Sequence, residues 1–130
     1  MGIKGGMARI KFIIEDKEIV AELIDRNPKT AKLICEKLPL ESNVNTWGDE
    51  IYFGAPLKIA EEKAQEEVEV GDVAYWVEGR CICIFFGATP ISKSGKPLAY
   101  SPVNVFAKVV SGLELLKTVV PGSVIKVEKC

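Results

Sequence analysis

The sequence predicts a mainly β protein in which one domain folds as a closed barrel or a sandwich. Short runs rich in valine, isoleucine and aromatic residues follow one another along the chain, separated by glycine, proline, asparagine or aspartate. Only two short segments have helical features. The 130 residues, 48% of them hydrophobic, can bury one core and are too few for two independent domains. Many short strands with two short helices favour a closed β architecture.

Composition and charge indicate which partners to expect. The 17 basic and 18 acidic residues nearly cancel, and no stretch gathers lysine and arginine densely enough to bind a row of phosphates. We therefore expect no nucleic-acid partner. No apolar run approaches the roughly 20 residues that cross a bilayer, so we also expect no membrane association.

The chain begins with a glycine-rich stretch, residues 1–8, which lacks the apolar run and cleavage site of a secretion signal. We interpret it as a flexible lead-in to a single domain over residues 9–130, and we expect a cytoplasmic protein. Glutamate and lysine outnumber aspartate and arginine, which is typical of a heat-adapted organism.

The first elements are a hairpin and a helix. Two β-rich runs, residues 8–15 and 18–25, predict an antiparallel hairpin. A helix of about ten residues is predicted over 30–37, with Asn27 as its N-cap and Pro28 at its first position. Its buried side is expected to contain Ala31, Ile34, Cys35 and Leu38, and Pro39 should end it.

The middle of the chain combines an extended segment with a charged one. Residues 45–53 suit extended structure, and Gly48 predicts a bend or bulge within them. Residues 58–70 carry five glutamates, which we interpret as a solvated face. A divalent-cation site is the alternative, although it needs loop geometry that the sequence does not supply.

The clearest strand signal is the pair of apolar runs 73–77 and 81–87 around a short glycine-containing turn. Both faces of the second run are apolar, so it should lie centrally in the sheet. Residues 88–102 contain prolines, serines and a glycine and predict a long irregular loop, where binding is common in small domains.

The remaining elements are a strand over 104–110, a short helix over 112–119 and a closing strand over 123–128. The helix is expected to turn Leu113, Leu116 and Val120 inward.

The chain has no histidine, which removes the usual general base near neutral pH and the commonest neutral metal ligand. Four cysteines are present, of which Cys81 and Cys83 share one face of a predicted strand. Two thiols do not complete a zinc site, so we interpret them as buried small hydrophobic residues and expect no metal and no cofactor. A disulfide involving Cys35 or Cys130 stays an alternative.

Four segments resemble the cyclophilins, and more closely a family of short prokaryotic cyclophilin-like proteins whose cellular role is unassigned. They are NPKTA at 27–31, VFAKVVSGLE at 105–114, and GDVAYW at 71–76 together with IFFGATP at 84–90. The likeness runs from Arg9 to Glu128. It implies an eight-stranded antiparallel β-barrel with two short helices and a shallow apolar groove on its outside.

The resemblance also implies an activity, peptidyl-prolyl cis–trans isomerisation, if the chain is an enzyme. Cyclophilins use an arginine that donates a hydrogen bond to the prolyl nitrogen, and their pocket contains a histidine. The matching segment here, residues 46–51, carries acids, and the only arginines are Arg9, Arg26 and Arg80. An ionised carboxylate cannot donate a hydrogen bond, so we expect weak or absent isomerase activity.

The groove implied by the resemblance should be lined by aromatic side chains with polar groups at its edges. The aromatic candidates are Trp47, Tyr52, Phe53, Trp76, Phe85, Phe86 and Tyr100, and the polar ones are Asp49, Glu50, Ser101 and Asn104. The alternative is that most of these aromatics belong to the core and that Asp49 and Glu50 are charges at an exposed strand edge.

Three functions remain open. We favour a domain that binds a peptide or proline-containing segment in the groove. The second is a small-molecule or metal-dependent enzyme that reuses the groove, with Asp49, Glu50 and Ser92 or Ser101 as its polar set. The third is a non-catalytic interaction module whose groove is filled by a partner chain.

Overall fold

Strands dominate residues 8–129, the part of the chain that the computed structural model describes. The strands are β1 (Arg9–Ile14), β2 (Lys17–Leu23), β3 (Leu40–Thr46), β4 (Glu50–Gly54), β5 (Gln65–Glu67), β6 (Asp72–Trp76), β7 (Cys81–Phe85), β8 (Leu98–Ser111) and β9 (Val124–Lys129). The helices are α1 (Pro28–Glu36) and a 3₁₀ helix (Leu113–Thr118). The lead-in proposed for residues 1–8 falls, except for Ala8, outside the described residues, as does Cys130.

Eight of the strands close into an antiparallel barrel, as the resemblance implies. The strand order is β2-β1-β9-β3-β4-β7-β6-β8, and pairing of β8 with β2 completes the circle. The short strand β5 is additional and pairs with the first part of β8, between Leu98 and Val103. The strand β8 is 14 residues long, which lets different parts of it pair with β2, β5 and β6.

Alternation along the strands produces two separate apolar clusters. In β7, Ile82 and Ile84 point into the barrel, while Cys83 and Phe85 point to the opposite face. The second cluster, on this outer face, also contains Val68, Ala74, Ala99, Val103 and Val105. β7 lies between β4 and β6, which confirms the central position predicted from its two apolar faces.

The start of α1 corrects the predicted cap. Asn27 precedes the helix, but its side chain is buried and its amide donates to the Val105 carbonyl oxygen at 2.7 Å. The free N–H groups of Lys29 and Thr30 donate instead to the Glu62 carboxylate, at 3.2 and 3.1 Å. A glutamate from the predicted solvated face therefore satisfies the helix N-terminus from across the fold.

Two further predictions change in detail. The irregular loop ends at residue 97, earlier than predicted, because β8 already begins at Leu98. The second helix is of the 3₁₀ type, with Leu116 buried within it and Val119 buried just after it, whereas Val120 is 58% exposed and not inward as predicted. Among residues 8–129 no helix is both long enough and apolar enough to span a membrane.

Candidate ligand-binding site

A pocket of about 200 Å³ opens on the outer face of the barrel, over β4, β7, β6 and β8. Its position follows from strand alternation, because Ile51 and Phe53 of β4 point into the barrel and leave Glu50 and Tyr52 on the outside. The lining residues are Trp47, Glu50, Tyr52, Trp76, Cys83, Ala99, Tyr100 and Val103.

Four aromatic rings form a continuous wall around this pocket. Trp47 lies 6.0 Å from Tyr100 at an interplanar angle of 82°, and Tyr100 lies 6.0 Å from Trp76 at 78°. Tyr52 continues the series at 6.3 Å and 88° from Trp76. Each pair has the edge-to-face geometry that the ring quadrupoles favour. Tyr100 is 66% exposed and marks the mouth.

Trp76 is fixed at both edges of its ring. Its indole N–H donates to the Ser101 hydroxyl oxygen, and that hydroxyl donates to the Glu78 carboxylate at 2.9 Å. Gly79 lies directly against the ring, because a Cβ added there would come within 2.2 Å of the indole carbons. Glycine is the residue type that lets the turn approach the ring so closely.

Trp47 is positioned by the turn that joins β3 to β4. The turn is closed by hydrogen bonds between the backbones of Trp47 and Glu50, and Gly48 has a φ of +59°. The same turn packs on the loop that follows β7, where the Asp49 N–H donates to the Ala88 carbonyl oxygen at 2.9 Å. The predicted bend at Gly48 is therefore a hairpin turn that carries one wall of the pocket.

Glu50 places a carboxyl group inside this aromatic pocket. The residue is only 6% exposed, and burial raises the pKa of its carboxyl to about 7, with the Cys83 thiol acting in the opposite direction through a hydrogen bond. Burial likewise raises the pKa of the Cys83 thiol well above its ordinary value. None of the ion pairs found among residues 8–129 includes Glu50.

The structure brings together five of the eleven residues predicted for the groove, namely Trp47, Glu50, Tyr52, Trp76 and Tyr100. Ser101 is not among the lining residues but accepts the hydrogen bond of the Trp76 indole, and the other five lie elsewhere. Phe53 is inside the barrel, Phe85 belongs to the outer apolar cluster, Phe86 packs on the barrel core and Asp49 is exposed at the turn. Asn104 is fully buried, and its amide donates to Thr30 and to the Ala60 carbonyl.

Three residues of the pocket were not predicted: Cys83, Ala99 and Val103. Cys83 could have been found, because it faces outward and pairs directly with Tyr52 across β4 and β7. Ala99 gave no signal, since it lay within a segment interpreted as loop, and Val103 lay next to that segment.

The three arginines are placed away from the pocket. Arg9 forms an ion pair with Glu22 at 2.7 Å, and Arg26 donates to Gln65 at 3.1 Å. Arg80 is exposed in the turn between β6 and β7. The lining residues found among residues 8–129 therefore include no arginine, the side chain that cyclophilins use to donate to the prolyl nitrogen.

Barrel topology and an external aromatic pocket define a cyclophilin-like domain. The family model described as cyclophilin-like matches residues 8–128, and the chain belongs to that family. The solution structure of the hypothetical protein AF2241 from Archaeoglobus fulgidus is similar over 100% of both chains, at 41% identity and a TM-score of 0.85.

A more distant likeness is to the structure of McbB in complex with tryptophan. It has 15% identity and a TM-score of 0.68, and it covers 92% of this chain and 44% of that one. At this identity the likeness shows the fold alone. No match was found among curated proteins.

Proposed function

We propose that the chain binds a peptide segment in the outer pocket, with proline or another side chain of the peptide inserted among the four aromatic rings. Its isomerase activity is weak or absent. The observation that carries this proposal is the open wall of Trp47, Tyr52, Trp76 and Tyr100, which the side chains in the described part of the chain leave unfilled.

Aromatic walls suit a peptide-binding role for physical reasons. Each ring offers a large apolar area while losing little conformational entropy on binding, and proline-rich segments dock in aromatic-lined grooves elsewhere. The pocket's volume of about 200 Å³ lies below the range typical of sites for drug-sized ligands. One inserted side chain, with the rest of the peptide across the surface, matches this size.

The pocket, as residues 8–129 form it, lacks the arginine on which catalysis by cyclophilins depends. Rotation of an X-Pro bond has a barrier of about 20 kcal/mol, which falls when a donor stabilises the pyramidal prolyl nitrogen. The one charged group among the lining residues is Glu50, which has the opposite sign to an arginine and only accepts hydrogen bonds once ionised. The arginines lie elsewhere, so binding without efficient isomerisation follows.

The enzyme alternative draws little support from the assembled site. Of its proposed polar set, Ser92 bonds with Thr89 and Ser101 bonds with Trp76 and Glu78, so both hydroxyls are committed to structure. Binding of a small molecule alone is better supported, because McbB, which shares the fold, was solved with tryptophan bound.

The test is a titration with a panel of X-Pro peptides, monitored by tryptophan fluorescence and by isomerisation rate. The chain has two tryptophans, and both line the pocket, so its tryptophan fluorescence reports on this site. We expect saturable fluorescence changes, loss of binding in Tyr100→Ala, and no acceleration beyond the uncatalysed rate.

The matched control is Leu33→Ala, which truncates an exposed apolar residue on α1 away from the pocket. It should bind like the wild type. Peptide binding that survives in Tyr100→Ala, or isomerisation at rates typical of cyclophilins, would overturn the proposal.

A further inference from the structure

We propose that the group selected by the pocket is an alkylated ammonium ion, held between the aromatic rings with Glu50 as its counter-ion. This inference rests on the proposed binding function and specifies the ligand class. It would apply to a methylated lysine side chain of a peptide and to a free small amine, since both present the same cation.

The arrangement of the rings is the first argument. The successive rings Trp47, Tyr100, Trp76 and Tyr52 meet at 82°, 78° and 88°, so neighbouring rings are nearly perpendicular and do not stack, and all four line the same pocket. The faces of such rings carry partial negative charge and attract cations, and cages of this kind bind quaternary ammonium groups. Tryptophan, the strongest of the aromatic partners, supplies two of the walls.

Glu50 provides the second, independent argument. Its side chain is more than nine-tenths buried, lines the pocket and has no ion-pair partner in the described part of the chain. Burying an ionised carboxylate without a partner is costly, and an incoming cation removes that cost. The protein therefore contains one half of a buried ion pair, placed where a ligand enters.

The rest of the lining explains why the cation should be alkylated. Cys83, Ala99 and Val103 add mainly apolar surface, and within residues 8–129 Glu50 is the only carboxylate that lines the pocket. An unmodified lysine ammonium brings three N–H donors that need acceptors, and a pocket with one carboxylate leaves some of them unsatisfied. Alkyl groups on the nitrogen need no hydrogen-bond partner and pack well against rings.

The titratable groups that face Glu50 do not provide an internal cation. They are the Cys81 and Cys83 thiols on β7 and the Tyr52 and Tyr100 hydroxyls on β4 and β8; the Asp49 carboxylate, next to Glu50 in the chain, is exposed at the turn. Glu50 must be ionised to pair with a ligand. Burial raises the pKa of its carboxyl to about 7, so affinity for a cation should increase as pH rises through that value.

The experiment compares choline with 3,3-dimethylbutanol, a neutral isostere, by tryptophan fluorescence at constant ionic strength. We expect choline to bind about tenfold more tightly than the isostere, and Glu50→Gln to reduce this preference to the smaller part that the aromatic rings alone provide. Asp49→Asn removes the adjacent, exposed carboxylate and should preserve the preference.

A peptide pair identifies the source of the cation. A peptide with trimethyllysine that binds more tightly than choline points to a modified protein, and the reverse order points to a free amine. Equal binding of choline and its isostere, or an unchanged preference in Glu50→Gln, overturns the inference and leaves the peptide-binding proposal standing if X-Pro peptides bind. If neither X-Pro peptides nor choline bind, both proposals fail.

Discussion

Among single residues, Glu50 combines deep burial with an ionisable group. It lies at the start of β4, beside Trp47 in the hairpin turn and opposite Phe85 across the sheet. A glutamine of the same shape would avoid the cost of charge in this environment. The carboxyl thus lowers the stability of the free protein at neutral pH, which is typical of a group retained for a functional site.

The stability of the protein should fall as pH rises from about 4.5 to above 7. The raised folded pKa of Glu50 means that the folded state holds the proton more tightly than the unfolded chain, whose pKa is near 4.5. The protonated Glu50 carboxyl stabilises the folded state fully below the unfolded pKa, and this stabilisation is lost as pH rises through about 7. The free energy of unfolding should decrease by on the order of 3 kcal/mol over this pH range, and Glu50→Gln should abolish this pH dependence.

Denaturant unfolding at a series of pH values measures this effect. Asp49→Asn is the control, because Asp49 is exposed and its removal should leave the pH dependence of the wild type in place. A Glu50→Gln variant whose unfolding free energy changes with pH as in the wild type contradicts the account.

At the scale of elements, the N-terminus of α1 is capped by the Glu62 carboxylate, which comes from a distant segment of the chain. Burial acts to raise the pKa of Glu62, but hydrogen bonds from Thr30 and Lys29 outweigh it, so the pKa is lowered overall. The contribution of Glu62 to stability is therefore present above its unfolded pKa and lost as pH falls through the lower folded pKa.

Glu62→Gln should destabilise the protein by about 1 kcal/mol at neutral pH, because it weakens this capping interaction. The difference from the wild type should shrink in acid, where the carboxylate becomes protonated. Thermal unfolding at both pH values is the measurement, with Glu61→Gln, an exposed neighbour, as the control. An equal loss of stability in both variants would show that the contact with α1 contributes nothing specific.

The turn between β6 and β7 allows a second prediction about an element. Gly79→Ala should displace the Trp76 ring, because the new methyl group would overlap it, and overpacking of this kind costs about 1–3 kcal/mol. We expect altered tryptophan fluorescence and weaker ligand binding. Gly95→Ala is the matched control, since a Cβ there meets no atom within 4 Å. Unchanged fluorescence and binding in Gly79→Ala would contradict the packing described for Trp76.

Elements were predictable from the sequence where the pattern was local. The hairpin β1–β2, the pair β6–β7 and the bounds of α1 follow from alternation, turn residues and Pro28. The strand β5 was missed because its three residues, Gln65–Glu67, are polar and extended only through their pairing with β8. The cap by Glu62 was missed because it joins residues more than 30 positions apart.

At the scale of the whole molecule, barrel closure creates the site. Closing β8 onto β2 fixes the inner faces of all eight strands, and the outer faces of β4, β7 and β6 then share one surface with β8. The sequence indicated that Trp47, Glu50 and Tyr52 lie near one another in an extended segment with a bend or bulge at Gly48. It could not show that Trp76 and Tyr100 complete the wall, because that requires the sheet order.

The fold defines the family, and the pocket determines what the domain does. The barrel is that of the cyclophilin-like family, and among the described residues its outer pocket is lined by four aromatic rings and a buried carboxyl, with no arginine. Cytoplasmic location and origin in a heat-adapted organism stay predictions from composition. The interaction module, the third function left open, would also fill this pocket, so one binding measurement bears on it as well.

The most direct test of the account is a nuclear magnetic resonance titration of the labelled protein with an X-Pro peptide and, separately, with choline. The two indole N–H signals belong to Trp47 and Trp76, so the spectrum reports on both sides of the pocket. We predict that both indole signals shift saturably with ligand, together with backbone signals of Tyr52 and Tyr100. Indole signals that stay unchanged while signals elsewhere on the barrel shift would contradict the assignment of this pocket as the binding site.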